Sequence, residues 1–250
     1  MILLREQMLR PLGAAIVAVA LIPSLTTRAL AAQTYGVAGE DTYHVGLAMS
    51  ATHITYAGVE RLDIVTEGHG RRYVADATYS RVDDSGKAAA HAHFVQELQP
   101  DGSFEDRTDD DPDFLTILNQ PFAVQLDDAT LLDIERLRSM VPFQAASPLG
   151  GSKLSGYLRS APSGKVDGQK VAGVRFEADG PMSGTLPQHP DALLLGTMHM
   201  DGTAYYATHG ALLLALDATL TIDGKLQSGK ESVPVKIVYH RLIRAESPAT

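Results

Sequence analysis

The stretch Ala211 to Ile222 constrains the fold of this chain more than any other. Leu212, Leu214, Leu216, Ala218, Leu220 and Ile222 hold the even positions, and from Ala215 on the residues between them include Asp217, Thr219 and Thr221. Alternation with period two puts one set of side chains on a buried face and the other towards water, the pattern of a half-buried strand. A helix would scatter the same leucines around its circumference. Asp223-Gly224 follows at once, and Asp-Gly suits a two-residue hairpin loop because both central residues need positive φ. Asp201-Gly202, Asp167-Gly168 and Asp101-Gly102 extend the series. The sequence therefore predicts a chain punctuated by hairpins.

Before that strand, Leu193 to Met200 is expected to pair with Thr203 to His209 through Asp201-Gly202, placing Met200 opposite Thr203. After it, Val233 to Arg244 carries Val235, Ile237, Tyr239 and Ile243 on one face. Upstream, Gln33 to Asp41 reads as a flexible lead-in, and the first strand is expected at Tyr43 to Met49. Arg61 to Thr66, Arg71 to Val82, Ala88 to Gln99 and Ser103 to Arg107 form a first meander, with Asp83-Asp84-Ser85-Gly86 as one of its turns. Short strands are expected at Phe114 to Leu118 and Phe122 to Leu126. Leu154 to Arg159, Val171 to Ala178 and Met182 to Leu186 follow the Ser147–Ser152 linker, with a turn at Asp179-Gly180-Pro181.

One helix interrupts the strands, from Asp128 to about Met140. Asp127 or Asp128 can accept the free amide hydrogens of its first turn, and Pro142 stops it. Leu131, Ile134, Leu137 and Val141 fall along one stripe. These elements predict a mainly β fold, a large curved antiparallel sheet or partly open β-barrel built of hairpins with one α-helix near 128–140, the alternative being a two-sheet β-sandwich. Residues 33–250 are expected to form a single β-rich domain, with two similar halves at 42–126 and 152–245 around the helix.

The N-terminus reads as an export signal. Arg5 and Arg10 precede the apolar run Leu12 to Leu25, and small residues near Ala31 and Ala32 suit a signal peptidase. Residues 1–32 are expected to be removed, leaving a periplasmic or secreted protein with no membrane span. The formal net charge of −9 argues against nucleic acid and anionic membranes as partners. The chain has no Cys, which excludes disulfide staples and thiol chemistry. A transmembrane barrel is disfavoured because Trp is absent and no aromatic girdle is visible.

Chemistry-bearing motifs are few. His91 and His93 share one face of a strand, roughly 6 to 7 Å apart, and with a third ligand from another strand they would suit zinc. Glu97 is too far along to join them, and the competing account of both histidines is a solvated outer face, since Ala90, Ala92, Phe94 and Leu98 mark the opposite side as the core. Asp109 to Asp113 offers carboxylates to calcium but lacks the alternating ligands and fixed Gly and Glu of the best-defined calcium loop. Nucleophile elbows, phosphate loops and His-Glu-x-x-His patterns are missing. No cofactor is predicted.

The layout resembles that of periplasmic lipoprotein or lipid carriers with an open half-barrel, a likeness of architecture alone. The first functional reading is a non-catalytic exported β-protein holding an apolar small molecule or another exported protein, its lining drawn from Met198, Met200, Leu212, Leu214 and Leu216. The competing account of those residues is a filled core. Two further readings are a metal-assisted hydrolase using His91 and His93, and a structural or adhesive surface module.

Overall fold

The computed structural model describes residues 28–29, 33–46, 51–67, 70–98, 104–109, 126, 128–137, 140–146, 153–186, 189–209 and 211–246. The strands are β1 (Arg28–Ala29), β2 (Gln33–Val45), β3 (Thr52–Glu67), β4 (Gly70–Asp83), β5 (Gly86–Leu98) and β6 (Phe104–Asp109). Helix α1 (Asp128–Leu137) precedes β7 (Val141–Ala146), β8 (Lys153–Val166), β9 (Gln169–Leu186), β10 (His189–Ala207), β11 (Leu213–Ser228) and β12 (Glu231–Ala245). All the strands belong to one antiparallel sheet in the order β6-β5-β4-β3-β2-β12-β11-β10-β9-β8-β7, with β1 continuing the line of β2 along β3. The sheet is curved and open, and among the described residues its end strands β6 and β7 do not pair with each other.

This order reads as two meanders running outward from the middle. The first strand of one meander, β2, pairs with the last strand of the other, β12, from Tyr35↔Ala245 to Val45↔Val235. The two ends of the described chain thus meet at the sheet's centre. A single sheet carries both meanders rather than two sheets packed face to face.

Burial alternates along the strands, which defines an inner and an outer face. On β11 the inner set is Leu214, Leu216, Ala218, Leu220 and Ile222, as the period-two pattern predicts. On β12 it is Val235, Ile237, Tyr239, Arg241 and Ile243. Helix α1 lays Leu131 and Ile134, both buried, against β8 and β9. Leu132, beside that stripe, is exposed.

Several sequence expectations are corrected here. Gln33 to Asp41 is strand rather than lead-in, because Tyr35, Val37, Asp41 and Tyr43 alternate inward while Gly36, Ala38 and Gly39 dilute the pattern. Strand β3 begins at Thr52, well before Arg61. Helix α1 ends at Leu137, and Val141 with Pro142 opens strand β7. Pro142 is tolerated there because β7 lies at the sheet edge, where one side of the strand needs no partner.

The Asp-Gly pairs differ most from expectation. Asp167-Gly168 does form the β8–β9 hairpin, with φ of 48° and 83°. Asp179-Gly180, Asp201-Gly202 and Asp223-Gly224 instead lie inside the long strands β9, β10 and β11. Met200 therefore faces Leu220 and Ala178, and not Thr203. The physical reason is close approach: a Cβ on Gly202 would sit 2.6 Å from the Phe176 ring, and one on Gly180 would sit 2.6 Å from the Lys153 carbonyl oxygen. These glycines let neighbouring strands and rings come near on a strongly curved surface. The β11–β12 hairpin falls later, around Gly229 with φ 59°.

Other expectations hold or lie elsewhere. The Asp83 to Gly86 turn joins β4 to β5, with Asp83 accepting a 2.8 Å hydrogen bond from the Ser85 amide. Asp101-Gly102, the strands expected at 114–118 and at 122–125, and the 147–152 linker fall outside the described residues. So does the segment expected to be an export signal, apart from β1, which the expected cleavage at Ala31 or Ala32 would remove. Among the described residues no helix is long and apolar enough to cross a membrane.

Candidate functional site

An ion pair sits in the apolar inner face where β2 meets β12. Arg241 Nη1 donates to Asp41 Oδ1 at 2.5 Å, and the two side chains are 4% and 2% exposed. The same nitrogen donates to the His240 carbonyl at 2.9 Å. Charges this deep are expensive to desolvate and persist only with good partners. Aromatic rings supply part of the compensation. The Arg241 guanidinium carbon lies 5.4 Å from the centre of the Tyr56 ring and 5.6 Å from that of Tyr239, within cation–π range. Tyr43 packs edge-on against Tyr239 at 6.0 Å and donates to Asp41 Oδ2 at 3.5 Å.

The register explains how these groups meet. Tyr56, Gly39 and Arg241 lie side by side on β3, β2 and β12. Gly39 leaves the floor open, and Arg241 lies across it: a Cβ there would be 2.9 Å from Nη1 and 3.0 Å from Cδ. One row along, Asp41, Tyr239, Leu220 and Met200 are neighbours on β2, β12, β11 and β10. That row leads from the carboxylate through an aromatic ring to aliphatic side chains over about 14 Å, three strand spacings.

Electrostatics follow from burial. Loss of water lifts the Asp41 carboxyl above its ordinary 3.8, and Arg241 with the Tyr56 and Tyr43 hydroxyls pulls it back only partway. Burial also pushes the Tyr43 and Tyr206 phenols upward, so both stay protonated and able to donate. The Nε of Arg241 is buried without a hydrogen bond. Leaving such a group unsatisfied costs about 1–3 kcal/mol or more for a charged group.

The apolar residues singled out in the sequence belong to the core or pack against it. Met198, Met200, Leu214 and Leu216 are buried in the core cluster, and Leu212 is half-buried just before β11. Met200 shares the row of Asp41 and Tyr239, and Met198 shares the next, with Ile222, Ile237 and Tyr43. Tyr206 is buried, while Tyr205 is half-buried on the other face of β10.

His91 and His93 are placed on the outer face. His91 bonds Thr78 at 3.1 Å and His93 bonds Asp76 at 2.6 Å. Similar outer-face contacts join His199 to Asp179 and His240 to Asp217, each at 2.8 Å. Among the described residues no group of three or more His, Cys, Asp or Glu side chains gathers as metal ligands. Asp109 ends β6, and residues 110–113 lie outside the described residues.

Sequence reasoning missed Asp41, Arg241 and Tyr56. The signal for Arg241 was available, because it occupies an inward position between Tyr239 and Ile243 in an otherwise apolar set. A charge at such a position is a reason to look for a partner. Asp41 was hidden because Gln33 to Asp41, rich in small residues, reads as a flexible lead-in. Comparison with known proteins adds no identity: no protein-family model matches the chain, and no curated protein matches it.

Proposed function

We propose that this is an exported, non-catalytic binding protein that holds an apolar small molecule against the inner face of its sheet. The observation that carries this reading is the row Met200, Leu220, Tyr239 and Asp41. An ordinary core gains nothing from a charged pair at the end of an aliphatic row, since well-packed apolar residues would be as stable or more so. A binding face gains an apolar bed and a polar end that fixes orientation. Native mass spectrometry of the purified protein is expected to show a co-purifying lipid-sized mass. Bare chain mass after gentle purification from the native host would defeat the proposal.

Export is part of the same reading and rests on the N-terminal run. Expression of the full chain is expected to yield a mature protein beginning at Ala32 or Gln33. N-terminal sequencing of the material outside the cytoplasm checks this, and an intact Met1 there would remove the export half of the proposal.

A further inference from the structure

The tip of the β8–β9 hairpin is tied to a strand that is not its neighbour. Asp167 at the tip meets Arg244 of β12 in a two-pronged contact, Nη2 donating to Oδ1 at 2.6 Å and Nε to Oδ2 at 3.4 Å. Strands β10 and β11 lie between β9 and β12, a separation of three strand spacings or about 14 Å. The end of the hairpin must therefore lie across the ends of both strands. Arg244 fixes the side, because it is exposed between buried Ile243 and Ala245 and so points outward. Burial agrees. Arg175, Glu177 and Asp179 are exposed on the outer face of β9. Val171 continues the same outward series, yet it is 2% exposed, and its partner Ala207 on β10 is 6% exposed. Val166, in the hairpin end, is half-buried and packs against the core.

We propose that residues 161–170 form a releasable strap, closed by Asp167 and Arg244 over an apolar corner of the outer face at Val171, Tyr205 and Ala207. The inference concerns the opposite face from the binding reading above and does not rest on it. Three features make the strap releasable. Both partners of its clasp are exposed, and an ion pair in water holds weakly and is screened by salt. Lys165 stands opposite Lys170 just behind the tip, and like charges across a ladder work against pairing. The register shifts between Ala161 and Gly164, an irregularity that gives the hairpin a place to bend. The connection between β10 and β11, which the strap crosses, holds buried Ala211 at φ 44°. Such backbone strain persists only while its surroundings hold it, and the closed strap is part of those surroundings. Closed, the strap hides apolar surface; open, it presents that surface to a partner.

Hydrogen exchange followed by mass spectrometry on the whole protein reads the strap and the corner separately. Asp167→Asn removes one charge of the clasp and keeps a residue that tolerates the φ of 48° at this position. Arg244→Gln removes the other charge. Both variants are expected to exchange about two- to fivefold faster than wild type over 161–171 and 205–213, the step an exposed ion pair supplies. Exchange in β2 and at Val235 to Tyr239 of β12 is expected to stay unchanged. Wild type in about 1 M sodium chloride should show the same pattern as the variants, which keeps the test independent of how they fold. Unchanged exchange over 205–213 in both variants and in salt overturns the strap, since it would then cover nothing. Acceleration spread evenly across the sheet overturns it as well, because the pair would be holding the fold and not one hairpin.

Discussion

Arg241 and Asp41 stand where the strand pattern calls for aliphatic residues, and their energetics can be measured apart from any ligand. Removing one partner strands the other in an apolar setting, so Arg241→Ala is expected to destabilise the fold by about 3–5 kcal/mol. Replacing both, as Arg241→Met with Asp41→Leu, is expected to be neutral or stabilising by about 1–4 kcal/mol. Urea melts of the two variants decide it; a double variant as unstable as the single one would show the pair to be a structural necessity. The acid range gives an independent check. Because Asp41 is raised in the fold, its favourable contribution is complete below about pH 3.8 and fades as pH rises through the folded value. The stability of wild type over Asp41→Asn should therefore shrink as pH climbs from about 3.8. A difference that grows with pH would mean that Arg241 outweighs burial.

At the level of elements, glycine inside β9, β10 and β11 does the work that turn chemistry suggested. Gly202 gives room to the Phe176 ring, so Gly202→Val is expected to cost about 1–3 kcal/mol by overpacking. Gly168 faces open space at φ 83°, and Gly168→Ala carries only backbone strain. Equilibrium denaturation should rank Gly202→Val as the more damaging change; the reverse order would favour a turn at Asp201-Gly202. Dipeptides such as Asp-Gly are read from sequence by their local φ preference. That preference cannot distinguish a turn from a strand crossing where the neighbouring chain needs the Cβ position. The helix and the β11 pattern were legible because their periodicity is local and strong. Strand β7 was not, since Pro142 marks a helix stop and an edge strand equally well.

On the scale of the molecule, the pairing of β2 with β12 ties the start of the described chain to its end at the sheet's centre. Central strands have partners on both sides, whereas β6 and β7 lie at the edges. Local opening follows that difference, so hydrogen exchange is expected to be slowest at β2, β11 and β12 and fastest at β6 and β7. Uniform protection across all strands, or slowest exchange at an edge, would contradict this layout. The same pairing makes contacts of long sequence separation obligatory, and folding should be correspondingly slow.

The sequence by itself determined the antiparallel β character, the position of the one helix and which face of β11 is buried. Each of these follows from side-chain period and local backbone preference, properties that neighbouring residues share. The tertiary structure decided which strands adjoin, and hence that Gly39 opens a floor on which Arg241 can lie beside Asp41. Those two residues are two hundred positions apart. No local rule relates them, because their meeting depends on the register of β2 against β12, which is fixed only when the whole sheet assembles. The leucine face first visible as a pattern became informative once that register set a charged pair at the end of its row.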